Sequence, residues 1–298
     1  MHRVIVTGAN GFIGSSLIKK LLYKDTRVVA LDVSFANSRL PKDDRITKIE
    51  TDLSNIEALK KQIPEENYDI FYHFAWRGVN GPDKASPYIQ LENERLAISC
   101  ADLAKSLKVG KILYAGTVAE RSIESLNSLK VTSGGMMYGT AKHCAHLMID
   151  TYCKHIGQKF VWMQFSNIYG PQNKTGNLVS YTLGQLSKGE AATFGPAQQP
   201  YDFIYIDDLL EAVERLGEKN TLKNYYFIGS GEPRILREYL SEIGRVYGRE
   251  DLIRIGERPD DGIRYSFNMF DTTDLKDDIG NYVSGSFTER IEDTIKNY

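Results

Sequence analysis

Apolar residues along this chain follow two patterns that take turns. Short unbroken runs such as Val4-Ile5-Val6 and Val28-Val29-Ala30-Leu31 are followed by longer stretches in which apolar residues recur every three or four positions. The runs suit strands buried on both faces, and the spaced residues suit helices lying on them. The first predicted helix, 12–22, places Phe12, Ile13, Leu17, Ile18, Leu21 and Leu22 on one side. The same reading predicts strands over 27–31, 46–50, 69–75, 111–115 and 159–165. Helices are predicted after Asn55, with a break at Pro64, and over 88–107 and 136–155. This alternation predicts an α/β protein with a doubly wound parallel sheet. Beyond Pro171 the order weakens to a short helix at 177–187, a strand at 202–206, a helix at 207–216 and a strand at 225–228. Two further helices, 236–247 and 287–296, complete the chain, with no internal repeat or low-complexity tract.

Between the first strand and helix lies Thr7-Gly8-Ala9-Asn10-Gly11-Phe12-Ile13-Gly14. A tight turn at Gly8 calls for a positive φ that glycine adopts freely. The bare Gly11 lets a pyrophosphate approach backbone N–H groups and the positive end of the helix dipole. Gly14, one turn on, lets the helix sit close to its strand. Asp32 ends the second strand 24 residues after Gly8, where a carboxylate can accept hydrogen bonds from an adenosine ribose. It would repel a 2′-phosphate, so the pattern favours NAD over NADP, with Ser34 and Arg39 able to soften that preference. Asp52 either meets the adenine amino group or caps the following helix. On this reading residues 1–169 form a Rossmann cofactor-binding domain to which 201–230 returns, while 170–200 and 231–298 form a smaller C-terminal α/β substrate-binding lobe.

Tyr138 and Lys142 are four apart at the start of a predicted helix and share one face. An ammonium beside a phenol stabilises the phenolate, which brings a tyrosine toward general acid–base work near neutral pH.

With these residues in place, the chain resembles the extended short-chain dehydrogenase/reductase family, in its NAD-dependent epimerase/dehydratase branch. Gly8, Gly11 and Gly14 match the family's G-x-x-G-x-x-G, and Tyr138-Gly139-Thr140-Ala141-Lys142 matches its Y-x-x-x-K. The segments 165–171 and 202–209 look like its later landmarks. The resemblance implies proton transfer to or from a sugar hydroxyl by Tyr138, with Lys142 on the nicotinamide ribose and Thr117 hydrogen-bonded to the reacting oxygen. It implies a cofactor cleft lined by Phe12, Ile13, Leu53, Phe74 and Ala75. Asn167 would hold the sugar or its diphosphate, or serve only as a local hydrogen-bonding residue. Arg258 matches a phosphate-binding arginine, or lies idle at the surface. The implied partner is a nucleotide sugar, and the implied assembly is a homodimer through the helices at 88–107 and 136–155, unless those faces pack only on the sheet.

Departures from the family narrow the chemistry. Dehydratases carry an acidic pair directly after the catalytic Thr, but Val118 and Ala119 stand there and Glu120 comes one residue late. Tyr201 replaces the usual first phosphate arginine, for which Arg234 is a candidate substitute. The ending V-Y-G, frequent in hexose epimerases, is missing. The expected reaction is hydride transfer at C4 of the sugar, as a 4-keto-(6-deoxy)sugar reductase or, alternatively, a 4-epimerase. A reductase of a non-nucleotide ketone and a non-catalytic NAD-binding regulator are the other readings. Composition adds exclusions. A net charge of -2 over 298 residues argues against nucleic acid or an anionic membrane as partner. Cys100, Cys144 and Cys153 have no metal-ligand spacing, so no metal is expected, and a reduced, cytoplasmic setting fits. Nothing in the sequence reads as a signal peptide or a membrane span.

Overall fold

The computed structural model describes residues 2–128, 134–173 and 175–298. Strand β1 (Arg3–Thr7) leads through the glycine turn into α1 (Phe12–Leu22). Then come β2 (Arg27–Asp32), β3 (Ile46–Glu50), α2 (Ile56–Gln62) and β4 (Ile70–His73). Helix α3 (Pro87–Ser106), strand β5 (Lys111–Thr117), helix α4 (Gly134–Ile156) and strand β6 (Phe160–Phe165) complete the alternating half. The later half holds β7 (Asn167–Tyr169), α5 (Leu178–Ser187), β8 (Ala192–Phe194), β9 (Pro200–Tyr201), β10 (Phe203–Tyr205) and α6 (Ile206–Glu218). It ends with β11 (Tyr225–Ile228), β12 (Arg234–Ile235), α7 (Leu236–Tyr247), β13 (Ile253–Ile255), α8 (Thr273–Ile279) and α9 (Phe287–Lys296).

Seven strands form one parallel sheet in the order β11-β6-β5-β4-β1-β2-β3. The order reverses beside β1, which opens a crevice at the carboxyl ends of β1 and β4, where open α/β sheets bind ligands. Two buried clusters cover the sheet. One centres on Val4, Leu17, Leu113 and Val161 and runs into the C-terminal helices. The other centres on Ile5, Phe71, Ile112, Ala101 and Ile149. Alternate residues of each strand serve opposite clusters, as the period of two requires.

The predicted α/β architecture is therefore present, and β11 (Tyr225–Ile228) pairs with β6 at one edge of the main sheet. The predicted strand at 202–206 is shorter, Phe203–Tyr205, and pairs with β7 outside the main sheet. The pairs β9–β12 and β8–β13 are two or three residues long and carried no alternating pattern to find them by.

Candidate active site

Gly8 has φ +64°, as its turn demands. A β-carbon there would lie 2.9 Å from Ala75 N and 3.0 Å from the Phe74 carbonyl carbon, so the end of β4 is pressed against the turn. Ala75 N–H donates to Thr7 Oγ1 at 3.2 Å and holds that approach. Gly14 meets a tighter limit than expected, because a β-carbon would overlap the Gly8 carbonyl oxygen. The helix packs onto the turn itself rather than onto the strand beyond it. Gly11 caps α1 with no side chain, so the first-turn N–H groups, including those of Phe12 and Ile13, receive no capping side-chain oxygen.

Asp32 serves the turn and the crevice together. Its Oδ2 accepts from Asn10 N at 2.8 Å and its Oδ1 from Val33 N at 2.8 Å, which fixes the carboxylate at the end of β2. Each oxygen retains a lone pair for a ribose hydroxyl. Asp52 does not cap α2. Asn55 does, with its side chain accepting from Ala58 N, while Asp52 Oδ1 accepts from Ser54 N and Oγ. Leu53 is buried with φ +64°, a left-handed conformation that a branched side chain rarely adopts. Bare glycines, uncapped helix N–H groups and a fixed carboxylate make a cradle whose shape and charge fit a dinucleotide pyrophosphate and ribose.

Thr117, Tyr138 and Lys142 come together at the end of β5. The Thr117 hydroxyl acts on the Tyr138 phenol and favours its ionised form. Gly139 permits a close approach, since a β-carbon there would overlap the Ala119 carbonyl oxygen. Lys142 is buried, donates to Ala115 O at 2.6 Å, and sets its Nζ 3.6 Å from the centre of the Trp76 ring. The expected softening of the phenol by the lysine is not what this geometry produces. Burial pushes Tyr138 well above its ordinary value, opposed by the Thr117 hydroxyl, and Glu120 raises it further. Lys142 itself is pushed down to about 7 by burial, against the pull of Glu120. Its charge sits against Ala115 O and Trp76, so it does little for the phenol.

Residues that the sequence did not single out complete the wall. The Trp76 ring stands edge-on to Tyr138 at 6.4 Å, and Lys84 Nζ lies 5.2 Å above the Tyr138 ring. Trp76 Nε1 donates to Gln90 Oε1 at 2.8 Å, while Asn93 bonds both N–H and C=O of Arg77. Buried Gln90 and Asn93, three apart on an otherwise apolar inward face of α3, were the sequence signal for this anchored loop.

The later landmarks follow β6, whose Phe165 pairs with Thr117 of β5. Both ends of the Asn167 side chain are engaged: Nδ2 donates to Asp202 O at 3.0 Å and Oδ1 accepts from Tyr201 OH at 2.9 Å. Asn167 thus holds the residue that replaces the phosphate arginine. Arg234 faces Tyr201 across the β9–β12 pair, but its guanidinium is drawn to Glu242 at 2.7 Å and stacks on Tyr239. Arg258 is exposed, with Nε on Thr193 Oγ1 at 2.8 Å and Nη2 on Tyr181 OH at 2.6 Å. No helix among the described residues is long and apolar enough to cross a membrane.

Lys142 gives a signed pH prediction. Its folded value near 7 lies below its ordinary 10.5, so between these values the unfolded chain binds more protons and stability rises with pH. Urea titrations of the nucleotide-free protein should show a gain from this group of about 2 kcal/mol between pH ~7 and ~9, absent in Lys142→Met. An equal pH dependence in the variant contradicts the assignment.

Comparison with known proteins agrees with this geometry. Residues 4–229 match the model of the NAD dependent epimerase/dehydratase family. Protein CapI of Staphylococcus aureus is 23% identical over 83% of this chain and 84% of its own length. A dTDP-4-dehydro-6-deoxy-D-allose reductase of Streptomyces sp. is 24% identical over 85% of this chain and 83% of its own. Among solved structures, DesIV, the dTDP-glucose 4,6-dehydratase of Streptomyces venezuelae with NAD bound, superposes with a TM-score of 0.82 at 21% identity. The match covers 99% of this chain and 96% of that one. The chain belongs to the NAD dependent epimerase/dehydratase family, enzymes of the extended short-chain dehydrogenase/reductase type that modify nucleotide sugars with NAD as cofactor.

Proposed function

We propose that this enzyme transfers hydride from NADH to C4 of a nucleotide-activated 4-keto-(6-deoxy)sugar, reducing the ketone to an alcohol. The observation that carries the reading is the placement of Tyr138 and the buried Lys142 amine around the Trp76 ring at the end of β5, where Thr117 stands. Thr117 Oγ1 positions the carbonyl oxygen, and Tyr138 OH delivers a proton to it as hydride reaches C4. Val118 and Ala119 put no carboxylate after Thr117, and Glu120 is bound into the wall behind it, which speaks against dehydration. The likeness to a dTDP-4-dehydro-6-deoxy-D-allose reductase supports the same side.

Gly8, Gly11, Gly14 and the N–H groups of Phe12 and Ile13 would hold the pyrophosphate, Asp32 the adenosine ribose, and Lys142 the nicotinamide ribose. Asp52 and Leu53 would border the adenine, and Phe74 and Ala75 the cleft floor. NAD supplies the hydride chemistry when bound. We assign this work to 1–169 with 201–230, and sugar and nucleotide recognition to 170–200 and 231–298. Arg258 would meet a phosphate there, with Asn167 acting through Tyr201.

The protein would be a homodimer through α3 and α4, where Leu91, Leu147 and Met148 are 59%, 55% and 47% exposed. Sedimentation at about the mass of two chains supports this pairing, and a single-chain mass rejects it.

Tyr138→Phe tests the reading. With a dTDP-4-keto-6-deoxysugar and NADH, kcat should fall by about 10²–10⁴-fold while NADH affinity stays within about threefold. Undiminished turnover overturns the role of Tyr138. Protein that purifies with nearly one NAD per chain, and exchanges it with neither substrate nor buffer, indicates an epimerase instead.

A further inference from the structure

Glu120 places a carboxylate in the protein interior with no arginine or lysine paired to it among the described residues. It is 2% exposed. Oε1 accepts from Thr117 N at 2.7 Å, both oxygens face Trp162 Nε1 at 3.2 Å, and Oε2 accepts from Gln164 Nε2 at 3.2 Å. Burying such a group for packing alone is costly, and an apolar side chain of similar size would fill the same space more cheaply. Room has also been kept for it. A β-carbon at Gly116 would come 2.6 Å from Glu120 Oε1 and overlap the Trp162 indole nitrogen.

We propose that Glu120 is a positioning residue: its carboxylate fixes the main chain at Thr117, and with it the hydroxyl that meets the reacting oxygen, and sets a negative charge behind Tyr138 and Lys142. This rests on the roles given to those three residues above. Its surroundings are specific. On α4, His146 Nδ1 lies 3.7 Å from Oε2, its ring stacked on Trp162 of β6 and Tyr225 of β11. Arg121, next in the chain, is committed to Gln164 Oε1 and Tyr225 OH. On α4 the charge of Glu120 also raises both Lys142 and Tyr138. It therefore favours the ammonium that would hold the ribose.

Three variants separate reach from charge. Glu120→Gln keeps an acceptor for Thr117 N–H and removes the charge; Glu120→Asp keeps the charge and withdraws it from Thr117; Glu120→Leu removes both. NADH fluorescence titrations from pH ~6 to ~9 need no substrate, and their midpoint reports Lys142. In Glu120→Gln that midpoint should fall by about one pH unit, and in Glu120→Asp it should stay. With the 4-keto sugar, all three should lower kcat about tenfold or more with KM within about threefold. In a Thr117→Val background, Glu120→Asp should cost less than about twofold further. An unmoved midpoint in Glu120→Gln, or a full loss from Glu120→Asp in that background, overturns the proposal. If the wild type reduces no 4-keto sugar, the reading of function fails while the NADH midpoint still decides on Glu120. Should Glu120→Gln not fold, an Asp variant with wild-type kcat overturns the proposal by itself.

Discussion

Three stretches of chain meet at Gly8 at distances that leave no room for a β-carbon. The turn after β1 carries the end of β4 on one side and the start of α1 on the other, with Ala75 N and the Gly8 carbonyl oxygen as the contact points. Because α1 can come no nearer with any side chain at Gly14, the position of its N-terminus is fixed relative to the sheet. The uncapped N–H groups, the Asp32 carboxylate and the floor at Phe74 and Ala75 are consequently arranged by close backbone contact, helped by the Thr7 hydroxyl on Ala75 N and by the N–H groups of Asn10 and Val33 on Asp32. A cofactor held there need not wait for side chains to order, which lowers the conformational cost of binding it.

Desolvation dominates the chemistry a few ångströms away. Tyr138 and Lys142 lie in a wall made of Trp76, Trp162 and the end of β5, where charge is expensive and each group moves toward its neutral form. The usual picture of a lysine softening a tyrosine assumes that the ammonium faces the phenol. Here it faces a carbonyl and an indole, and the negative group behind the pair is Glu120.

Much of this was legible in the sequence for physical reasons. Gly8, Gly11, Gly14 and Asp32 announce themselves because a tight turn and a ribose partner allow few alternatives, and the alternating apolar runs leave little choice of sheet. Tyr138 and Lys142 are tied by helical spacing. Trp76 and Lys84 were not legible, because their loop meets Tyr138 only through folding, and nothing local marks that meeting. Glu120 was noticed as an acid in the wrong place, whereas its use depends on Trp162 and Gln164, more than forty residues away. Asn167 was read as holding the sugar or its diphosphate, or as a local hydrogen-bonding residue; Tyr201, on a two-residue strand that no periodicity reveals, donates to it. Asp52 was given two roles, and the capping one falls to Asn55, the stronger local partner of α2.

The most direct test follows the hydride. Purified enzyme is incubated with a dTDP-4-keto-6-deoxysugar and NADH deuterated at C4 of the nicotinamide, and the product sugar is read by NMR. Deuterium at C4 of the sugar, with loss of the ketone and one NAD formed per alcohol, is the predicted result. A sugar labelled at another carbon, or a ketone that persists while NADH stays reduced, would contradict the account.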